Sequence, residues 1–317
     1  MTGFILRRLA QAVIVVIGVT IFTFLLQHLI PGSIARAIVG PRATPAQIAG
    51  FDQEWGLNRA LPLQYFSFLD HLVHGNLGYS YKQNRSVDSI VAEYLPRDVL
   101  LVGTSLVLAL LIALPLGMLQ AVRRNRTADY VGTGVSFLLY SMPTYLLGLL
   151  LIAGFSIQFR IFPPSAPQAA TITGILAHPS GLVLPIATLT LVTCALFSRY
   201  MRSSAIDSLT QDYIRTARAK GLLERTIRYR HVLRNSLIPI ATLVGLSLPS
   251  VLTAALMVEY VFNFQGLGLA YYNAALTTDY PVELGITVLI GVATVVGNLV
   301  ADLAYAGLDP RVRYRSS

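Results

Sequence analysis

Few residues in this 317-residue chain are arranged to make or break bonds. Glycine-lysine never precedes serine or threonine, so there is no Walker-type phosphate loop through which the chain itself would bind ATP. Gly-x-Ser-x-Gly and His-Glu-x-x-His are also missing. His71 and His74 are spaced to share a helix face toward a metal, but no third ligand stands near them, and a solvated face accounts for them better. Gly266 and Gly268 lack the third glycine of a dinucleotide loop and follow an apolar run, which makes them a turn. The single cysteine, Cys194, excludes an internal disulfide and reads as a small core residue. Asn298 and Asp302 share one face of the last apolar segment, where ionisable groups are functional candidates, although Asp302 is near enough to Arg311 and Arg313 for plain pairing. No nucleophile–base pair, metal cluster or chain of buried carboxylates emerges. The expectation is a chain that is not an enzyme, holds no metal or cofactor, and draws its energy from elsewhere.

The densest chemistry is electrostatic. Between Arg199 and Pro239, two strongly apolar segments are joined by a stretch with nine Arg/Lys residues. It reads as two short helices. Tyr213, Ala217 and Gly221 are spaced by four and stack on one face, where two small residues let another backbone approach. Arg215, Arg218 and Lys220 lie off that face. Gly221 is a break point, beyond which Leu223, Ile227 and His231 (or Arg230) form a second face. A basic loop is usually a topology signal, which needs three or four charges, or an anionic-lipid contact, and nine charges with an embedded small-residue face exceed what topology requires. A protein partner fitting the small-residue notch explains the pattern better.

The elements that hold this loop are of membrane grade. The chain is 54% hydrophobic and 12% charged, about half the charge of a soluble domain. Its net charge of +9 sits in short segments between apolar runs, which argues for loops rather than nucleic-acid binding. Six spans are expected, at 9–30, 99–122, 131–157, 182–201, 237–260 and 282–306. The first is read as a retained helix, since no small-residue cleavage site follows it. Arg7 and Arg8, the 123–130 loop, the 199–236 loop and the 307–317 tail hold 17 of the 24 basic residues, which puts that side and both termini in the cytoplasm.

Segment 31–98 then lies outside the membrane. Thr44-Pro45-Ala46-Gln47 reads as a capping box opening a helix that Gly56 stops. A second helix is expected from Pro62 to His74, closed by Gly75, and a third over about 87–94, ending before Pro96. Its aromatics suit a folded cap on the bundle or a surface for a partner. Pro115, Pro143, Pro185 and Pro249 fall inside spans and predict kinks in a bundle that bends or is merely packed that way.

Tyr213-x-x-Thr216-Ala217-Arg218-Ala219-Lys220-Gly221-Leu222, followed by His231-x-Leu233-Arg234-Asn235-x-Leu237-x-Pro239, resembles the EAA loop of permease subunits of bacterial ABC importers, in the dipeptide, oligopeptide and nickel branch. Leu6-Arg7-Arg8, Pro31-Gly32, Gly75 to Ser80, Ser141-Met142-Pro143, Glu259-x-Val261-Phe262, Gly266-Leu267-Gly268, Asp302-Leu303 and Leu308 to Arg311 agree in order, so the resemblance covers the chain and is closest to the B-type subunit. It departs in two places: Arg215 replaces the glutamate that names the loop in other branches, and Gln265 replaces a frequent proline.

The resemblance implies an all-α membrane protein of the type I importer permease fold. Residues 1–98 would hold the first helix and a helical extracytoplasmic loop, 99–306 the five-helix core with coupling loop 199–236, and 307–317 the tail. It implies a bacterial cytoplasmic-membrane complex that moves di- or oligopeptides by alternating access. Its partners would be a homologous second permease, one or two ATPase subunits that bind ATP and Mg, an extracytoplasmic binding protein, and membrane lipid. Nickel, a metal chelate, glutathione or haem is the alternative cargo, and a stand-alone channel or secondary carrier is a remote alternative. Arg215, Thr216, Ala217, Arg218, Lys220, Gly221 and Leu222, with His231, would contact the ATPase. Met142, Pro143, Glu259 and Asn298 would line the pathway.

Overall fold

The computed structural model describes residues 2–29, 34–40, 43–54 and 56–308; the side chains of 2–5, 27, 34, 37, 246–254 and 300–308 are not among those described. The helices are α1 (Thr2–His28), α2 (Ile34–Val39), α3 (Pro45–Glu54), α4 (Leu61–Val73), α5 (Val87–Val122), α6 (Thr127–Ser141), α7 (Thr144–Leu151), α8 (Ile172–Leu176), α9 (Ser180–Leu209), α10 (Asp212–Ala219), α11 (Glu224–Thr226), α12 (Leu233–Phe262), α13 (Leu267–Thr277) and α14 (Tyr280–Leu308). A π-helical turn, Ile152–Gln158, continues α7, and another, Ile227–Val232, joins α11 to α12. The ribbon β1 (Tyr79–Ser80) and β2 (Arg85–Ser86) is antiparallel.

Leu6–Leu26, Val87–Val122, Ser180–Leu209 and Tyr280–Leu299 are long and apolar enough to cross a membrane, and the pair Thr127–Ser141 and Thr144–Gln158 makes a fifth if read as one bent span. The expected span 237–260 falls on α12, part of whose side chains lie outside the described residues. The third expected span is not a kinked helix. Its two limbs diverge by 106°. Met142 leaves the helix with extended backbone (φ −81°, ψ 130°), as expected of a residue before proline, and Pro143 opens the next limb. Pro185 does not break α9, because Leu182, Leu184, Thr188 and Leu189 around it are buried and hold the helix in place. Pro249 lies among the residues whose side chains are not described.

Contacts divide the chain into two units, one of residues 1–4, 98–264 and 297–317 and the other of 5–97 and 265–296. In the second unit, α3 opens on the expected capping box. Gln47 N–H donates to Thr44 Oγ1 at 3.3 Å, and Gln47 Oε1 accepts the Thr44 N–H at 2.9 Å. Helix α4 rests on α1 through Tyr65 and Phe68, whose rings lie 5.5 and 5.9 Å from Phe24, and through Gln64 Oε1, 3.1 Å from His28 Nε2. The short helix expected at 87–94 does not stop before Pro96 but is the first part of the 36-residue α5. Val87, Ile90 and Val91 are buried against Leu267, Val282 and Ile286, and Arg97 pairs with Glu93 across the proline at 3.0 Å, so tertiary contacts outweigh its local cost of about 3 kcal/mol. Arg97 also donates to the carbonyl of Gln265 at 3.2 Å. The ribbon is tied to the turn before α14 by Ser80 Oγ–Asp279 Oδ2 (2.5 Å) and Lys82 Nζ–Thr278 Oγ1 (2.7 Å).

The first unit has two apolar clusters. One joins Leu101, Leu182, Leu189, Val258, Phe262 and Phe264, among others. The other joins Ala109, Ala113, Met118 and Ala121 of α5 to Phe197, Met201 and Ala205 of α9 and Ile240 of α12. The basic loop is built on this second cluster.

Candidate functional site

The basic loop begins as a continuation of a membrane helix. Residues after the expected end at 201 stay helical to Leu209, because Met201, Ala205 and Ser208 recur on one buried face. After a two-residue turn, α10 carries Asp212 in its first turn and Arg218 in its last, each favourable to the helix dipole. Lys220 caps it and Gly221 follows at φ +75°. Gly221 N–H reaches the Arg218 carbonyl at 2.9 Å and Leu222 N–H the Ala217 carbonyl at 3.2 Å. This pair of bonds is a Schellman ending, which needs a left-handed residue and so favours glycine there. Leu223 is extended, α11 restarts the helix, and the wide turn Ile227–Val232 runs into α12.

Four apolar side chains seat the loop. Ile214 (0% exposed), Ala217 (5%), Ile227 and Val232 all enter the cluster with Met201 and Ala205. Tyr213 fastens it at the base: its hydroxyl lies 2.6 Å from Ser208 Oγ at the end of α9 and accepts from Asn235 Nδ2 of α12 at 2.9 Å. Arg218 Nε donates to Glu224 Oε1 at 2.7 Å and straps the turn, while Arg215 meets Asp212 at 3.3 Å on the surface. The Arg218 hydrogen bond holds the Glu224 carboxyl below its ordinary pKa; burial opposes this, and the charges of Arg218 and Arg228 add to it.

The face expected to remain open to a partner is therefore corrected. Ala217 is filled by the chain's own core and Tyr213 is engaged by its hydroxyl, so the small-residue notch is internal packing at Ala217. What faces outward is Arg215, Thr216, Arg218, Lys220, Gly221 and Leu222, and a Cβ at Gly221 would meet nothing within 4 Å. His231 lies half-buried in the π-helical turn. Ile214, the bridging role of Tyr213 and the seat on α9 were not foreseen; the three-residue spacing of Ile214 and Ala217 carried the signal for an inward stripe.

The residues expected along a pathway come from three places. Met142 and Pro143 form the break between α6 and α7. Glu259, 1% exposed, lies near the end of α12, where its carbonyl accepts the Phe264 N–H at 2.8 Å. Asn298 of α14 has a buried Oδ1 without a hydrogen-bond partner among the described residues. The pairing considered for Asp302 lies outside the described side chains.

Residues 113–314 match the family described as binding-protein-dependent transport system inner membrane component, and residues 1–102 match its N-terminal companion. The chain is 36% identical to an oligopeptide transport system permease protein of Bacillus subtilis, covering 99% of this chain and 100% of that one. It is 34% identical to a glutathione transport system permease protein of Salmonella choleraesuis, covering 99% and 100%, and 35% identical to a probable D,D-dipeptide transport system permease protein of Escherichia coli, covering 96% of each. Among solved structures, the inward-facing MetNI methionine ABC transporter superposes with a TM-score of 0.56 at 16% identity, over 69% of this chain and 96% of that one, a likeness of fold. The all-α, multi-spanning fold is that of type I ABC importer permeases, and the chain belongs to the binding-protein-dependent transport system inner membrane component family, the permease subunits of ABC importers.

Proposed function

We propose that this chain is one of two paired permeases of a bacterial importer and moves di- or oligopeptides across the cytoplasmic membrane by alternating access. It has no catalysis of its own; separate ATPase subunits hydrolyse ATP, and a binding protein delivers the cargo. Peptide as cargo is supported by the oligopeptide and dipeptide relatives, and glutathione, itself a peptide, is the second reading supported by the Salmonella relative. The bundle has six spans, counting α6 with α7 as one and α12 as another. Both termini lie in the cytoplasm, with residues 1–98, 99–306 and 307–317 as first helix plus outer loop, core and tail. The distribution of 17 of 24 basic residues supports that orientation.

One observation carries the coupling role: α10 is a preformed helix, seated by Ile214 and Ala217, and with the turn that follows it presents Arg215, Thr216, Arg218, Lys220, Gly221 and Leu222 outward. An ATPase cleft would grip that face, and Met142, Pro143, Glu259 and Asn298 would border the route of the cargo. Replacing Gly221 with valine leaves space for the side chain but forces a β-branched residue into left-handed backbone, at about 1–2 kcal/mol. The variant should insert normally while ATP hydrolysis proceeds without peptide uptake in whole cells. Normal uptake would reject the coupling role, and a deletion strain that loses uptake of nickel but not of peptides would reject the cargo.

A further inference from the structure

Asp129 and Arg202 form a charged pair whose carboxylate side is buried. Asp129, near the start of α6, is 2% exposed, and its two oxygens receive Nε and Nη2 of Arg202 on α9 at 2.5 and 2.8 Å. The same carboxylate accepts the Asn125 N–H at 3.0 Å and lies 3.4 Å from Thr133 Oγ1. Asn125 is left-handed at φ +61°, so Asp129 also fixes the turn that joins α5 to α6. A buried ion pair adds little stability compared with apolar packing of equal volume, so stability alone does not explain why this one is here. A two-pronged guanidinium–carboxylate contact does fix relative orientation.

Its position gives that stiffness a use. Arg202 is next to Met201 and three residues before Ala205, both in the cluster that seats Ile214 and Ala217 of α10. Here α9 also touches α5 at Gly117, where a Cβ would come within 2.6 Å of the Ser198 carbonyl oxygen and 3.0 Å of the Arg202 nitrogen. One turn beyond Asp129, Gly132 lies against the Gln120 side-chain amide of α5, which a Cβ there would displace, and Ser136 Oγ meets Ser198 Oγ at 3.1 Å. Arg202 is thus held by backbone contact from α5, by charge from α6, and by continuity with the segment bearing α10.

We propose that the Asp129–Arg202 pair is a positioning clasp that carries a displacement of α10 into α6, and through α6 to the break at Met142–Pro143. This rests on the reading of α10 as the ATPase-docking helix. A pull on α10 moves the end of α9 through their shared apolar seat, and the clasp makes the start of α6 follow.

The test uses the full complex in proteoliposomes with Asp129→Asn, Arg202→Lys and the exchanged double variant Asp129→Arg/Arg202→Asp. Three quantities are read: ATPase retained on purification, peptide taken up per ATP hydrolysed, and the ATP-dependent change in distance between spin labels on α6 and α10. Asp129→Asn should keep the ATPase, lower uptake per ATP about tenfold, inside the range usual for coupling between sites, and let α6 and α10 move independently. Arg202→Lys, which keeps the charge without the fork, should fall between it and wild type, and the exchange should recover part of the loss. A wild-type ratio in Asp129→Asn, or a proportional loss of uptake and hydrolysis in both single variants, would overturn the clasp. Failure of the unmodified chain to retain the ATPase would instead overturn the docking reading beneath it.

Discussion

Tyr213→Phe isolates the fastening of α10 from its apolar seat. The change deletes one oxygen and leaves the ring in place. That oxygen shares a 2.6 Å hydrogen bond with Ser208 Oγ and accepts one of 2.9 Å from Asn235 Nδ2, so two bonds linking α9, α10 and α12 are lost together. A hydrogen bond in such a setting contributes about 0.5–1.5 kcal/mol net, giving about 1–3 kcal/mol for the pair. The upper part of the range applies on the Ser208 side, since that residue is only 7% exposed and water replaces the lost partner poorly. Because Ile214 and Ala217 remain seated, α10 should stay formed but open more often. Amide hydrogen exchange across 212–219 should speed up about 5–150-fold, the same energy expressed as an opening equilibrium, while α5 amides at 109–121 keep their protection. Unchanged exchange at 212–219 would refute the bridge. Equal acceleration in α5 would show that the hydroxyl supports the whole bundle rather than one helix.

Gly117→Val should destabilise the helix pair α5–α9 by at least about 1–3 kcal/mol, since the new carbon meets backbone rather than a movable side chain; the check is a lower yield and melting temperature of the detergent-purified complex. The turn 220–223 should respond to acid. The Glu224 pKa is lowered in the folded chain, so its pairing with Arg218 contributes fully above the ordinary carboxylate range near pH 4 and is lost as pH falls through the lowered value. The effect is small because both groups are half exposed, and exchange at the turn, corrected for intrinsic rate, should show an acid step that Glu224→Gln removes.

Parts of the fold are legible in the sequence because short-range chemistry decides them. The Thr44–Gln47 capping box and the stops at Gly56 and Gly75 are set by neighbours a few residues away, and both glycines adopt positive φ. The loop's Gly221 break is legible for the same reason. Where distant contacts decide, local rules mislead. Pro96 is overridden by burial of Val87 and Ile90, whereas at the break Met142 is only partly buried and Pro143 is exposed. The ribbon at 79–86 has two residues per strand, too few for an alternation to register. Ala217 is the instructive case within the site. A small residue on a helix face signals close approach by something, and the spacing alone does not say whether that is a partner or the chain's own core.

The four-residue apolar seat also bears on how an ATPase would be recruited. A loop that had to fold on contact would spend about 2–5 kcal/mol of the interaction on ordering and would show a large negative heat-capacity change. With Ile214, Ala217, Ile227 and Val232 already buried, that ordering is complete before any encounter. Association would then proceed between two rigid bodies steered by charge, with a rate that falls as salt rises. Recognition would be as ready on a newly inserted subunit as on a finished complex, so the order in which the subunits assemble need not be fixed.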